Sequence, residues 1–125
     1  MRLLVSLMLL VTGVIHLLPL SGVLGGARLD ALYGMAFDDA NLQILMRHRA
    51  VLFGLLGALL VTAAFRRSLQ PVALIGGLVS VVGFLWLAWD VGGYNASIAR
   101  VVIADLVALG CLLVAAAALA WQRRG

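Results

Sequence analysis

The sequence predicts an all-α protein, an integral membrane four-helix bundle with both termini on the cytoplasmic side. Three observations carry that expectation. Hydrophobic types make up 65% of the 125 residues and charged types 11%, with a mean hydropathy of +1.17, a balance that water-soluble domains do not show. The apolar residues fall in long runs, Leu3 to Leu20, Leu45 to Phe65, Pro71 to Trp89 and Ile98 to Trp121. Each run is near or above the ~20 residues that cross a ~30 Å hydrocarbon layer as a helix. The runs are rich in Leu, Ala and Gly and lack alternation with a period of two, which argues against membrane strands.

The first run follows Met1-Arg2, as a secretory leader would. It continues to Pro19, however, with no small-x-small cleavage site close behind a short core, and Ser21-Gly22 is a poor substitute. We therefore expect it to be retained as a first helix over residues 3–20. The link that follows, Ser21 to about Ile44, carries Gly22, Gly25-Gly26, an amphipathic piece from Arg28 to Tyr33, and Gly34. Asp38 or Asp39 then serves as an N-cap, starting a second helix over residues 39–66. Arg66 to Gln70 is a tight connection, and Pro71 suits the first turn of a third helix over residues 71–90. Val91 to Asn95 is equally short, with Asn95 or Ser97 capping a fourth helix over residues 97–121. Short links make sequential helices antiparallel neighbours, so residues 1–125 form one domain. Gly54, Gly57 and Ala58, with Gly76-Gly77 and Gly83, supply the small surfaces that let membrane helices approach closely.

Charge sets the orientation. Every cation is an Arg and every acid an Asp. Arg2, Arg66, Arg67, Arg123 and Arg124 share one side with no acidic side chain. Arg28, Arg47, Arg49 and Arg100 share the other with Asp30, Asp38, Asp39, Asp90 and Asp105. The first side is thus expected to be cytoplasmic and the polar one external. A net charge of +4 and an isoelectric point near 10.7 do not signal nucleic acid as a partner, because the Arg residues are scattered and flank apolar runs. The single Cys111 excludes an intramolecular disulfide, a Cys-x-x-Cys redox pair and a thiolate metal cage.

The external side gathers the candidate site residues. Arg47, His48 and Arg49 open the second helix, and His16 lies one turn, ~6 Å, below the end of the first. Asp90 closes the third helix. Arg100 opens the fourth, and Asp105 is more than a turn deeper, where an unpaired carboxylate in a bilayer is costly. Its counter-charge is expected from Arg47, His48, Arg49 or His16, since Arg100 is turned ~140° from it. The consecutive triplet cannot all face inward, so at least one member extends to the headgroups. Asp90 is expected to pair with Arg100 or with an arginine of the second helix. Tyr33 in the external link, Trp86, Tyr94 and Asn95 complete the set, Trp86 and Tyr94 with Trp89 also suiting an interfacial aromatic belt.

A His in the first helix, Leu32-Tyr33-Gly34 in the external link and Arg47-His48-Arg49-Ala50 opening the second helix resemble small bacterial four-helix membrane proteins of the DoxX-like superfamily. The resemblance implies a multi-pass protein of the bacterial inner membrane, occasionally linked to quinone-coupled oxidation. Some similar chains carry the description phosphopantetheine adenylyltransferase, an activity this sequence does not support. That enzyme is a soluble α/β nucleotidyltransferase with a His-x-Gly-His motif. Neither His16 nor His48 stands in one, and there is no Lys to hold a triphosphate.

The leading functional expectation is a non-enzymatic or accessory protein that binds a small amphipathic ligand, a quinone or a lipid, in a polar external pocket. Its partners would be the lipid bilayer and a second copy or a membrane partner subunit. The alternative is a redox protein with His16 and His48 as metal or haem ligands. A small multidrug transporter of four helices fits poorly, because that family needs a Glu in its first helix and this chain has none.

Overall fold

The computed structural model describes residues 1–36 and 38–124. The described chain is all α-helical, with four long apolar helices and one short one. They are α1 (Arg2–Leu17), α2 (Gly26–Tyr33), α3 (Ala40–Phe65), α4 (Gln70–Val91) and α5 (Ala96–Arg124). Four spans are long and apolar enough to cross a membrane: Arg2–Leu24, Ala40–Phe65, Arg67–Val91 and Ala96–Arg124.

The helix boundaries have local causes. Regular α-helix stops at Leu17, earlier than the expected residue 20, and a 3-10 segment runs from Leu18 to Leu24. Pro19 lies in its first turn. It has no N–H to donate to the carbonyl four residues back, so the α-helical ladder fails there. Asp39, not Asp38, caps α3, its carboxylate accepting from the Asn41 N–H at 3.0 Å. A 3-10 turn, Arg67–Leu69, leads into α4, where Pro71 occupies the first turn as expected. Asn95 begins α5, its Oδ1 accepting from the Ile98 N–H at 2.8 Å.

The amphipathic piece of the long link is α2. It ends at Gly34, which is left-handed (φ +65°) and donates its N–H to the Asp30 carbonyl at 2.8 Å. A β-carbon there would lie 2.7 Å from Ser97 Oγ, so only glycine satisfies both the φ angle and the close approach.

The long helices alternate in direction. α1 packs on α3 and α5, and α4 packs on the same two, which puts α1 and α4 on the diagonal. Each buried face follows a helical period. On α5 it is Asp105, Ala108, Leu112, Ala115 and Ala118, and on α1 it is Val5, Leu9, Thr12, Gly13 and His16. Alanines and glycines on these faces bring the backbones together, most closely between α1 and α3. There a β-carbon on Gly13 would stand 3.2 Å from the Gly57 carbonyl oxygen. The rest of each surface stays apolar and exposed, as at Leu3, Ile75, Val79, Ile103 and Trp121.

Candidate ligand-binding site

Asp105 faces inward because it extends the buried stripe of α5 by one step, three residues before Ala108. Its residue is 6% exposed, and among the described residues its carboxylate takes part in no hydrogen bond or ion pair. Buried polar groups are ordinarily hydrogen-bonded, so this carboxylate retains acceptor capacity. It lines a cavity of about 290 Å³ together with His16, Tyr33, Arg49, Ser97 and Arg100. The charge that acts on it is the guanidinium of Arg49.

Arg49 is held on three sides. Nη1 donates to the Tyr33 hydroxyl at 2.7 Å, and the guanidinium carbon lies 5.5 Å from the Tyr33 ring centroid and 4.4 Å from that of Phe53. Both distances suit cation–π attraction. Phe53 also stacks on His16, with centroids 5.6 Å apart.

His16 is buried and doubly engaged. Nδ1 donates to the Thr12 carbonyl at 2.9 Å, since a carbonyl only accepts. That leaves Nε2 facing Ser80 Oγ of α4 at 3.4 Å. Thr12 in turn donates its hydroxyl to the Met8 carbonyl at 2.9 Å. A polar line therefore crosses the bundle from α1 to α4 just below the cavity.

A second, largely apolar cavity of about 350 Å³ lies on the other side of the Tyr33 and Arg49 pair, lined by Met35, Met46, Phe84, Leu87 and Tyr94 among others. Tyr33 and Arg49 border both spaces. Two mainly apolar chambers thus share a wall made of one phenol and one guanidinium, and the charged groups gather in the first.

The structure places the remaining expected residues elsewhere. Arg47 donates Nε to the Val23 carbonyl at 2.8 Å and so ties α3 to the 3-10 segment after α1. His48 is exposed on the same face of α3 as Leu45 and Leu52, borders neither cavity, and is not brought together with His16. No group of three His, Cys, Asp or Glu side chains that could hold a metal occurs among the described residues. Asp90 is exposed, and the expected pair with Arg100 or an α3 arginine is not formed among the described residues. Trp86 is exposed and outside both cavities. Asn95 anchors instead of lining. Its Nδ2 donates to the Tyr33 carbonyl at 2.8 Å and lies 3.3 Å from that of Gly34, fastening the end of α2 to the start of α5.

Comparison with protein-family models, with curated proteins and with solved structures finds no match. Residue chemistry is then the guide to the site. Sequence reasoning missed Phe53, Ser80 and Ser97. Ser80 had a readable signal, because it is the single hydroxyl in the apolar stretch from Pro71 to Trp86. Phe53 lies four residues after Arg49, one helical turn along the same face, a relation that becomes visible only once Arg49 is known to point inward.

Proposed function

We propose that this chain is a multi-pass protein of a bacterial inner membrane, of DoxX-like type, with both termini cytoplasmic. Its external cavity binds a small amphipathic ligand of the quinone or lipid class, in a binding or accessory role without catalysis of its own. The membrane reading is supported by the four apolar spans and by the apolar residues that cover their outer surfaces. The orientation rests on the segregation of Arg2, Arg66, Arg67, Arg123 and Arg124 from every Asp. Alkaline phosphatase fused after Arg124 is expected to be inactive and fused after Gly92 to be active. The reverse pattern would invert the orientation.

The ligand reading is carried by one observation: the Asp105 carboxylate, in no hydrogen bond among the described residues, opens onto a cavity with Arg49 and Arg100. A head group with a hydroxyl donor would satisfy Asp105, and its carbonyl or anionic oxygens would take N–H donors from Arg49 or Arg100. The apolar chamber beyond Tyr33 offers room for the ligand's hydrocarbon part. Small-ligand pockets measure about 300–1,000 Å³, and each chamber is near the lower edge of that range.

The probe is the hydroquinone form of a benzoquinone with a ten-carbon tail, kept reduced so that it carries the hydroxyl donor, and titrated into detergent-solubilised protein while tryptophan emission is followed. Saturable quenching is expected. Asp105→Asn, which removes the charge but keeps the shape, is expected to weaken binding about tenfold, the loss of one charge-assisted hydrogen bond. His48→Ala, outside the cavity, is expected to bind as the parent does. Equal affinity of Asp105→Asn and the parent would remove the cavity from consideration.

A further inference from the structure

At the opposite end of the bundle the last turn of α5 meets the first turn of α4, and a cavity of about 290 Å³ lies between them, lined by Arg67, Ser68, Gln70, Leu119, Gln122 and Arg123. Gln70 is 4% exposed and donates Nε2 to the Ala63 carbonyl at 3.1 Å, closing the end of α3. Gln122 differs. Its Nε2 is wholly enclosed and has no acceptor among the described residues, whereas the Asp105 carboxylate opens onto its cavity. An amide donor without a partner costs free energy comparable to a lost hydrogen bond.

The charge around it is one-sided. Arg67 and Arg123 border the cavity, Arg66 and Arg124 flank it, and all acidic side chains of the chain belong to the other end. The negative ends of α3 and α5 favour cations here, which explains why arginines are tolerated. It does not supply an acceptor for Gln122. The available donors are guanidinium N–H groups from two directions, the Ser68 hydroxyl and, once the half-buried Gln122 side chain turns toward the cavity, its amide. A planar carboxylate offers two oxygens and matches one guanidinium fork. A tetrahedral phosphate offers acceptors on several sides.

We infer that this cavity binds a phosphate group, carried by a lipid head group or free in solution, between Arg67, Arg123 and the Gln122 amide. It shares no residue with the cavity around Asp105, so either site stands or falls without the other.

The test uses the full chain in detergent, titrated with dioleoylphosphatidylglycerol and read by native mass spectrometry, with inorganic phosphate as competitor. Saturable binding of one lipid is expected. Gln122→Met, similar in size but without the donor, is expected to weaken it about fivefold, and Arg123→Gln about tenfold or more. Gln122→Glu keeps the shape and adds a negative charge, and is expected to abolish binding. Arg66→Gln and Arg124→Gln, outside the cavity, are expected to change it less than twofold. Displacement of the lipid by millimolar inorganic phosphate identifies free phosphate as a ligand, and resistance to it identifies the lipid head group. Wild-type binding by Gln122→Glu, or equal losses from all the arginine variants, would overturn the site in favour of diffuse charge attraction.

Discussion

Arg49→Met is expected to destabilise the protein by about 2 kcal/mol, the scale for a hydrogen bond made by a charged group, and to reduce hydroquinone affinity more than tenfold. Arg49 acts on Asp105 as its counter-charge, donates to Tyr33, and packs its guanidinium on Phe53. Met fills much of the volume and keeps the contact with the rings, so the loss isolates the charge and the hydrogen bond. What remains is the Asp105 carboxylate, buried and facing no cation on α3. Asp105→Asn removes that charge without changing its outline. The double variant Arg49→Met with Asp105→Asn is therefore expected to recover stability relative to the sum of the single losses, with a coupling of about 1–3 kcal/mol. Unfolding of the four proteins in mixed micelles measures it. Strictly additive losses would mean that the two side chains do not sense each other.

The second large effect belongs to the contact between α1 and α3. Gly57→Val is expected to cost about 3 kcal/mol or more, at the upper end for overpacking. A β-carbon on Gly57 would stand 2.8 Å from Leu17 Cγ and 3.1 Å from the Gly13 carbonyl oxygen. Leu17 can change rotamer, but the Gly13 carbonyl is backbone and moves only with α1. His16 lies one turn beyond Gly13 and Phe53 one turn before Gly57, so separating the helices also opens the stack that props up Arg49. Gly83→Ala is the internal comparison. Its β-carbon meets nothing within 4 Å, and alanine gains up to ~1 kcal/mol of helix propensity. Thermal unfolding is expected to separate the two variants in opposite directions, and equal shifts would contradict the close packing.

The long helices were legible because length and apolar composition set them, and the caps at Asp39 and Asn95 were legible because few residue types perform that role. The polar end was readable as a region. His16, Tyr33, Arg49, Arg100 and Asp105 share one cavity. Which neighbour in a polar triplet faces inward was not readable. Arg47, His48 and Arg49 are ~100° apart in turn, and the helix that follows is apolar on every side, so no polar face fixes its rotation. The stripe Ala50, Gly54 and Gly57 decides it, Gly57 by packing on α1 and the other two on the 3-10 segment that follows it. That stripe turns Arg49 to the cavity and leaves His48 outside. The expected pairing of His16 with His48 as metal ligands rested on depth alone, and rotation separates them. The early end of α1 and the return of α2 over the cavity depend on Pro19 and on contacts across the chain, such as Asn95 with the Tyr33 carbonyl.

The apolar interior is in two parts. The main body runs from Val5 and Leu9 through Leu60 and Ala73 to Leu112 and Ala118, and a smaller one holds Leu29 and Tyr33 against Leu42, Met46 and Ile98. The layer of His16, Ser80, Arg49 and Asp105 lies between them. Cooperativity in folding is transmitted through continuous apolar contact, and protein segments with their own small clusters open at lower free energy than the whole. The part of the smaller body on α2 is thus expected to open at lower free energy than the long helices, seen as faster amide hydrogen exchange. For the ligand proposed at this site, α2 would then detach and re-dock while the long helices stay locked below, so that ligand exchange would run on a faster clock than unfolding of the protein.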